Sequence, residues 1–245
     1  MSRFFHRTVS VVGEDPPAME RFITDFDAYT KSVILEAEDR VAGHQRTVND
    51  YIILRRETCG AKPTFSFLGL GLNIPNEVFD NPIMISLIEN ASDLIGITNV
   101  SRLIMSLTEV NTTTHRMLKD MHSYRLERSR GLDGHNIITA IMEEYHLDLQ
   151  QAFYWVSGFV SKTIFNFLSN IHALPSWGEK IDRAVVVYID RVARSVRGCD
   201  AWSYETNRYY GDNGLKVQEC RKITLLPPAS GFITREELEL EIRVA

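Results

Sequence analysis

DLQQAFYWVSGFVSKTIFNFLSNIHA, residues 148–173, is the stretch on which the fold turns. Asp148, with Gln151 three positions on, has the pattern of a capping box, and the strongly apolar segment 149–173 behind it is long enough to be one helix. A helix so apolar around its circumference must be buried by neighbours. Towards the C-terminus, 179–196 carries Asp182, Arg183, Asp190, Arg191 and Arg194 as a polar face around the strand-prone run 185–189, so it reads as a helix, with Gly198 placed to end it. Towards the N-terminus, a helix starting at Pro75 or Pro82 and reaching Thr98 sets Val78, Ile85, Ile88 and Ile95 on one side.

Further upstream, 47–57 reads as a short helix bearing Arg55 and Arg56, and it runs into CGAKPTFSFLGLGL, residues 59–72, where Gly60, Pro63, Gly69 and Gly71 forbid one continuous helix. The first helix opens at Asp15-Pro16-Pro17, a cap residue followed by prolines suited to a first turn. Phe22, Phe26, Tyr29, Val33 and Ala37 then recur at helical spacing until Gly43 closes it. No alternating strand pair, hairpin turn or repeat stands out, so an all-α bundle is the expected fold class. Pro227 and Pro228 divide the expected domain, 1–228, from a tail, 229–245, and residues 222–245 read as loosely ordered or as a short terminal helix over 236–241.

Composition narrows the function. The 245 residues are 44% hydrophobic, 24% charged and 10% aromatic, ordinary values for a folded chain. A net charge of −5 offers no basic stripe to neutralise phosphates along a nucleic acid. Cys59, Cys199 and Cys220 form neither a disulfide framework nor a CxxC pair, which suits a reducing compartment and makes the cytosol the expected address. The opening residues lack the unbroken apolar region of a signal peptide, and no apolar run reaches the roughly 18 residues of a membrane span.

The most informative chemistry lies in Asp120-Met121-His122-Ser123-Tyr124-Arg125-Leu126-Glu127. Ser123 and Glu127 stand one helical turn apart, which by itself usually means a solvated face. Taken with Gly134-His135-Asn136-Ile137, with ILRRETCGAKP at 53–63 and with AWSYETNRYYGDNGL at 201–215, the stretch resembles the fungal sesquiterpene synthases, a branch of the class I terpene cyclases, from about residue 18 to 228.

The resemblance implies a class I terpenoid synthase helical bundle, incomplete at the N-terminus, that uses Mg2+ to ionise and cyclise farnesyl diphosphate. Its metal motif Asn-Asp-x-x-Ser-x-x-x-Glu maps onto Asn99, Asp120, Ser123 and Glu127, with Asn99, Ser123 and Glu127 as the ligands. Residues at i, i+4 and i+8 drift only about 40° and rise about 6 Å per step, so three hard oxygen donors can line one helix face. Here residues 100–119 split the motif. Those twenty residues correspond to sixty nucleotides, with valine codons beginning GT and a lysine codon AAG ending in AG, and their removal rejoins Asn99 to Asp120; the segment reads as a retained intron, against a true loop insertion. Left in place as helix, it would part Asn99 from Ser123 by about 36 Å. Leu126 departs from the basic residue common at its position.

By the same resemblance Arg56 is the diphosphate sensor and Gly60 the effector whose carbonyl faces the reacting carbons, while Arg208 and Tyr209 hydrogen-bond the diphosphate. Without the resemblance, Arg56 reads as a solvated surface charge and Arg208-Tyr209 as an aromatic helix end on the core. Trp202 lines the expected cavity, and Phe65, Phe67 and Phe153 are weaker pocket candidates, each more often simple core; an aromatic face can stabilise a carbocation without quenching it. The family's other metal motif, an aspartate-rich cluster, has no counterpart, since the sequence holds no Asp-Asp pair and Asp25-Phe26-Asp27 falls on the helix after the one that should bear it. The chain is therefore expected to begin inside the domain and to be inactive as it stands. The alternative function is a non-catalytic all-α remnant with at most weak diphosphate or partner binding. A prenyl-elongating enzyme would need two aspartate-rich clusters.

Overall fold

The computed structural model describes residues 7, 10, 15–97, 119–129, 135–220, 222–224 and 241–243. Helix α1 (Pro16–Ala42) starts where Asp15 accepts from the Ala18 amide and ends at Gly43, whose φ of +63° closes the last turn. The second oxygen of the buried Asp15 accepts from the Gly71 amide at 2.9 Å, so the start of α1 is tied to a distant loop. Thr47 caps α2 (Val48–Thr58) through the Asp50 amide. Gly60, at φ +73°, lets the chain turn at once into α3 (Ala61–Leu68).

The segment that could have begun at Pro75 or Pro82 contains both starts: a single turn, α4 (Asn76–Phe79), and then α5 (Pro82–Gly96), capped by Asn81. Helix α6 (Lys119–Ser129) carries the Ser123 and Glu127 stretch. Asn99 and residues 100–118 lie outside the described residues, and with them the expectation of a poorly packed insertion. Helix α7 (Ile137–Tyr145) is capped by Asn136. Helix α8 (Leu149–Ala173) shows the complete capping box, the Asp148 side chain accepting from the Gln151 amide and the Gln151 side chain from the Asp148 amide.

Helix α9 (Glu179–Glu205) corrects the expected stop at Gly198. The helix passes through that glycine for almost two more turns, because Asp200, Ser203 and Tyr204 continue the buried stripe beyond it and that burial outweighs the roughly 1 kcal/mol a mid-helix glycine costs. The strand-prone run is helical, with Val185, Tyr188, Ile189 and Val192 buried while Val186 and Val187 face out. Thr206 then caps α10 (Asn207–Tyr210), a 3-10 turn covers Gly211–Asn213, and α11 (Gly214–Cys220) follows.

The class is all-α, with one correction at the C-terminus, where β1 (Lys222–Thr224) pairs antiparallel with β2 (Glu241–Arg243), Ile223 opposite Ile242. Glu241, in a tail expected to be loosely ordered or to form a short helix over 236–241, begins a strand; β-branched residues on both strands, Ile223, Thr224 and Ile242, favour the extended pair. The central packing is α8 against α5, with α7 packed on α8 and α2, and α1 laid over α2 and α3. Leu87, Leu94, Ile141, Phe153, Val156 and Val192 fill the interior between these helices. No helix among the described residues is long and apolar enough to cross a membrane.

Candidate active site

The first part of the site is the break between α2 and α3. Arg55 and Arg56 end the second-last turn of α2, and Gly60 takes a left-handed conformation that a side chain would strain, although a Cβ there would meet only Tyr29 Cε2 at 3.7 Å. The Gly60 carbonyl accepts the Thr64 hydroxyl at 2.9 Å, which uses one of its lone pairs.

Arg56 is fully engaged with α5. Its Nε meets Asp93 Oδ1 at 2.7 Å, its Nη2 meets Asp93 Oδ2 at 2.9 Å, and its Nη1 lies 3.2 Å from Glu89 Oε2. The Asp93 side chain is 3% exposed, that of Arg56 24% and that of Glu89 39%. Burial pushes the Asp93 carboxyl upward against the opposing pull of Arg56, while the hydrogen bonds to Asp93 push the guanidinium further up. Removing one partner of such a buried pair costs about 3–5 kcal/mol, because the other charge is stranded.

Beside this pair opens a cavity of about 390 Å³, bordered by Arg21 and Asp25 of α1, Lys62, Phe65 and Ser66 of α3, Ile85, Ile88 and Glu89 of α5, and Tyr188 of α9. Phe65, 1% exposed, lines it. Ser66 donates to Asp25, whose carboxyl is pushed up chiefly by burial, with the Ser66 bond and Lys62 opposing. Lys62 itself pairs with Glu57. Burial of Tyr188 raises its hydroxyl above the ordinary tyrosine range.

The second part of the site is formed by α6 and α10, which pack together. Ser123 and Glu127 are both half-buried, one turn apart on α6. Asn136 donates to Glu127 Oε2 at 2.8 Å while its own oxygen accepts from the Ile138 amide to cap α7. One asparagine thus begins a helix and orients a carboxylate. Asn99 lies outside the described residues, and among the described residues no three His, Cys, Asp or Glu side chains converge as a metal cage. The donors that are described, a hydroxyl and a carboxylate held by an amide, are the hard oxygens a magnesium ion takes.

Arg208 is exposed, its guanidinium 5.5 Å from the Tyr209 ring centre, and Tyr209 is buried. Trp202 stands edge-on to Tyr209 at 6.2 Å and is 47% exposed. Phe67 instead packs against Phe22 at 4.2 Å and Phe153 against Tyr124, so both serve packing between helices. Sequence reading missed Asp93, Glu89 and Asn136. Asn136 carried a signal, a cap residue directly before an apolar run, and Glu89 with Asp93 had the i, i+4 spacing of two carboxylates able to share one cation.

The profile of terpene synthase family 2, C-terminal metal binding, matches residues 1–164. The chain belongs to this terpene synthase family. It is 40% identical over 230 residues to Sesquiterpene synthase Agr8 of Cyclocybe aegerita, covering 94% of this chain and 60% of that protein. With Delta(6)-protoilludene synthase of Armillaria gallica it shares 35% identity over 210 residues, 86% of this chain and 55% of the relative. The chain therefore spans little more than half the length of the curated terpene synthases it matches. Linalool/Nerolidol synthase from Streptomyces clavuligerus, solved in complex with 2-fluorogeranyl diphosphate, matches the fold with a TM-score of 0.62 at 16% identity, over 82% of this chain and 63% of that one.

Proposed function

We propose that this chain is the diphosphate- and metal-binding part of a class I sesquiterpene synthase, a carbon–oxygen lyase that ionises farnesyl diphosphate and cyclises the resulting allylic cation. The observation that carries the reading is the left-handed break at Gly60, which sets Arg56 one turn before a helix start and in contact with Glu89, a residue that lines a partly aromatic cavity. The sesquiterpene synthases among its relatives support the same substrate class.

In this reading Arg56 and Arg208 hold diphosphate oxygens, since the planar guanidinium fork pairs with two at once, and Tyr209 adds a hydroxyl donor. Gly60 turns its carbonyl dipole towards the carbon that loses the diphosphate. Phe65 and Trp202 offer aromatic faces to the cation and shield it from water. Asn99, Ser123 and Glu127 would hold magnesium, which supplies positive charge to the departing diphosphate. Asn136 fixes the Glu127 carboxylate for that task. A cytosolic location accords with three cysteines, Cys59, Cys199 and Cys220, whose spacing makes neither a disulfide framework nor a CxxC pair.

The chain as written is proposed to be inactive, because its sequence holds no Asp-Asp pair for the remaining metals and residues 100–119 divide the motif it does hold. Incubation with farnesyl diphosphate and magnesium should give no hydrocarbon above the enzyme-free background, whereas robust cyclic product would overturn this. The second reading, a helical bundle that binds diphosphate weakly without turnover, is favoured by Arg56 already being satisfied by two carboxylates. Transcript sequencing across codons 100–119 separates the two: splicing of that segment and an upstream coding region support the synthase, and their absence from every transcript supports the remnant.

A further inference from the structure

The three nitrogens of Arg56 each face a carboxylate oxygen, but the two carboxylates differ in kind. Asp93 engages Nε and Nη2 together in fork geometry and is 3% exposed, so water cannot replace Arg56 as its partner. Glu89 makes one longer contact to Nη1, is 39% exposed, and borders the open cavity. A partly exposed single contact is weak and exchangeable, whereas a buried bidentate one is not. Both acids reach the same guanidinium because they sit at i and i+4 of α5. Close approach of α2 and α5 is enabled by Gly96, where a Cβ would lie 3.2 Å from Arg55 Cγ and 3.3 Å from Cys59 Cβ.

We propose that Asp93 is a positioning residue that keeps the Arg56 fork oriented permanently, and that Glu89 is a stand-in anion that a diphosphate displaces from Nη1 when it binds. The inference rests on the reading of Arg56 as a diphosphate contact. Displacement has a simple balance: Glu89 swings into the cavity solvent, one charge-assisted contact is exchanged for another, and the Asp93 contacts are kept. Glu89 thereby lowers affinity for diphosphate, and Asp93 raises it by sparing the ligand the cost of ordering a long side chain.

The test is titration of the full chain with inorganic pyrophosphate at fixed magnesium by calorimetry, for the parent, Glu89→Gln, Asp93→Asn and Arg56→Gln. Glu89→Gln should tighten binding by about two- to fivefold, the size of one exposed ion pair. Asp93→Asn should weaken it by about tenfold or more, the scale on which positioning partners of ligand-binding groups act. In the Arg56→Gln background both carboxylate substitutions should have no further effect, a coupling that a merely structural role for Asp93 would not produce. A second measurement needs no ligand: the Arg56 Nε–H proton resonance should be slow to exchange in the parent and in Glu89→Gln, and fast in Asp93→Asn.

If Arg56→Gln binds pyrophosphate as the parent does, or the parent binds none at millimolar concentration, the diphosphate reading of Arg56 fails and the proposal with it. If Arg56→Gln loses binding but Glu89→Gln does not tighten it, the diphosphate reading stands and the stand-in role is overturned. An Nε–H that exchanges fast in the parent overturns the positioning role of Asp93 whatever the titrations show.

Discussion

At the scale of single residues, the site depends on side chains whose state is set by what surrounds them. Asp25 stands two positions before Asp27 in the sequence, and burial at the cavity wall raises its carboxyl above the ordinary range, with Ser66, Lys62, Glu57 and Arg21 as its charged and polar neighbours. A carboxyl raised on folding favours the native state fully only below its unfolded pKa, and that contribution is lost as the pH rises through the folded value. Asp25→Asn removes the ionisation and keeps an acceptor for Ser66. Its melting temperature should therefore exceed the parent's at pH 7 and converge with it near pH 4; a constant difference across that range would rule out Asp25 ionisation as the cause. Glu127 is the complementary case, a carboxylate held ready by the Asn136 amide. In an active form of the enzyme, Glu127→Gln should lower turnover at limiting magnesium on the order of a thousandfold, since about 1.4 kcal/mol corresponds to tenfold and a lost metal ligand costs several. The control is Glu143→Gln, an exposed residue bonded to Gln45 and outside the motif, which should leave turnover nearly unchanged.

Among elements, caps and breaks were legible because they are local. Asp15-Pro16-Pro17, Asp148 with Gln151, and Gly43 all act through backbone groups within a few residues, and the helices begin and end as those signals require. Gly198 failed as a stop because tertiary burial of Ser203 and Tyr204 beyond it outweighed a local preference. The Arg56 cluster was illegible for a related reason: Asp93 is thirty-seven positions away, and only the crossing of α2 over α5 brings it within 2.7 Å. That crossing leads to a prediction about Gly96. Gly96→Ala would gain helix propensity of up to about 1 kcal/mol, but its Cβ would press on Cys59 Cβ at 3.3 Å, and overpacking costs about 1–3 kcal/mol. A lower melting temperature is expected, together with weakened pyrophosphate binding as α2 is pushed away; an unchanged melting temperature would show that the two helices can separate freely.

For the whole molecule, the proposed function requires Asn99 to meet Ser123 and Glu127, from which residues 100–119 separate it in the sequence. Under the proposed function, deleting residues 100–119 and joining an aspartate-rich segment upstream should give magnesium-dependent cyclisation of farnesyl diphosphate, because Asn99, Ser123 and Glu127 then fall on successive turns of one helix. Absence of product from that repaired, folded protein would refute the split-motif reading. By itself the sequence determined the helical class, most helix boundaries and the resemblance to sesquiterpene synthases, since apolar period, caps and motif spacing act over one or two turns. Only the tertiary structure decided that Phe65 lines a cavity while Phe67 and Phe153 pack between helices, that a strand pair follows α11, and that Arg56 is held by Asp93 and Glu89. Each of these outcomes depends on which side chains from distant segments compete for the same buried space or the same charge, and that competition exists only after the helices have packed.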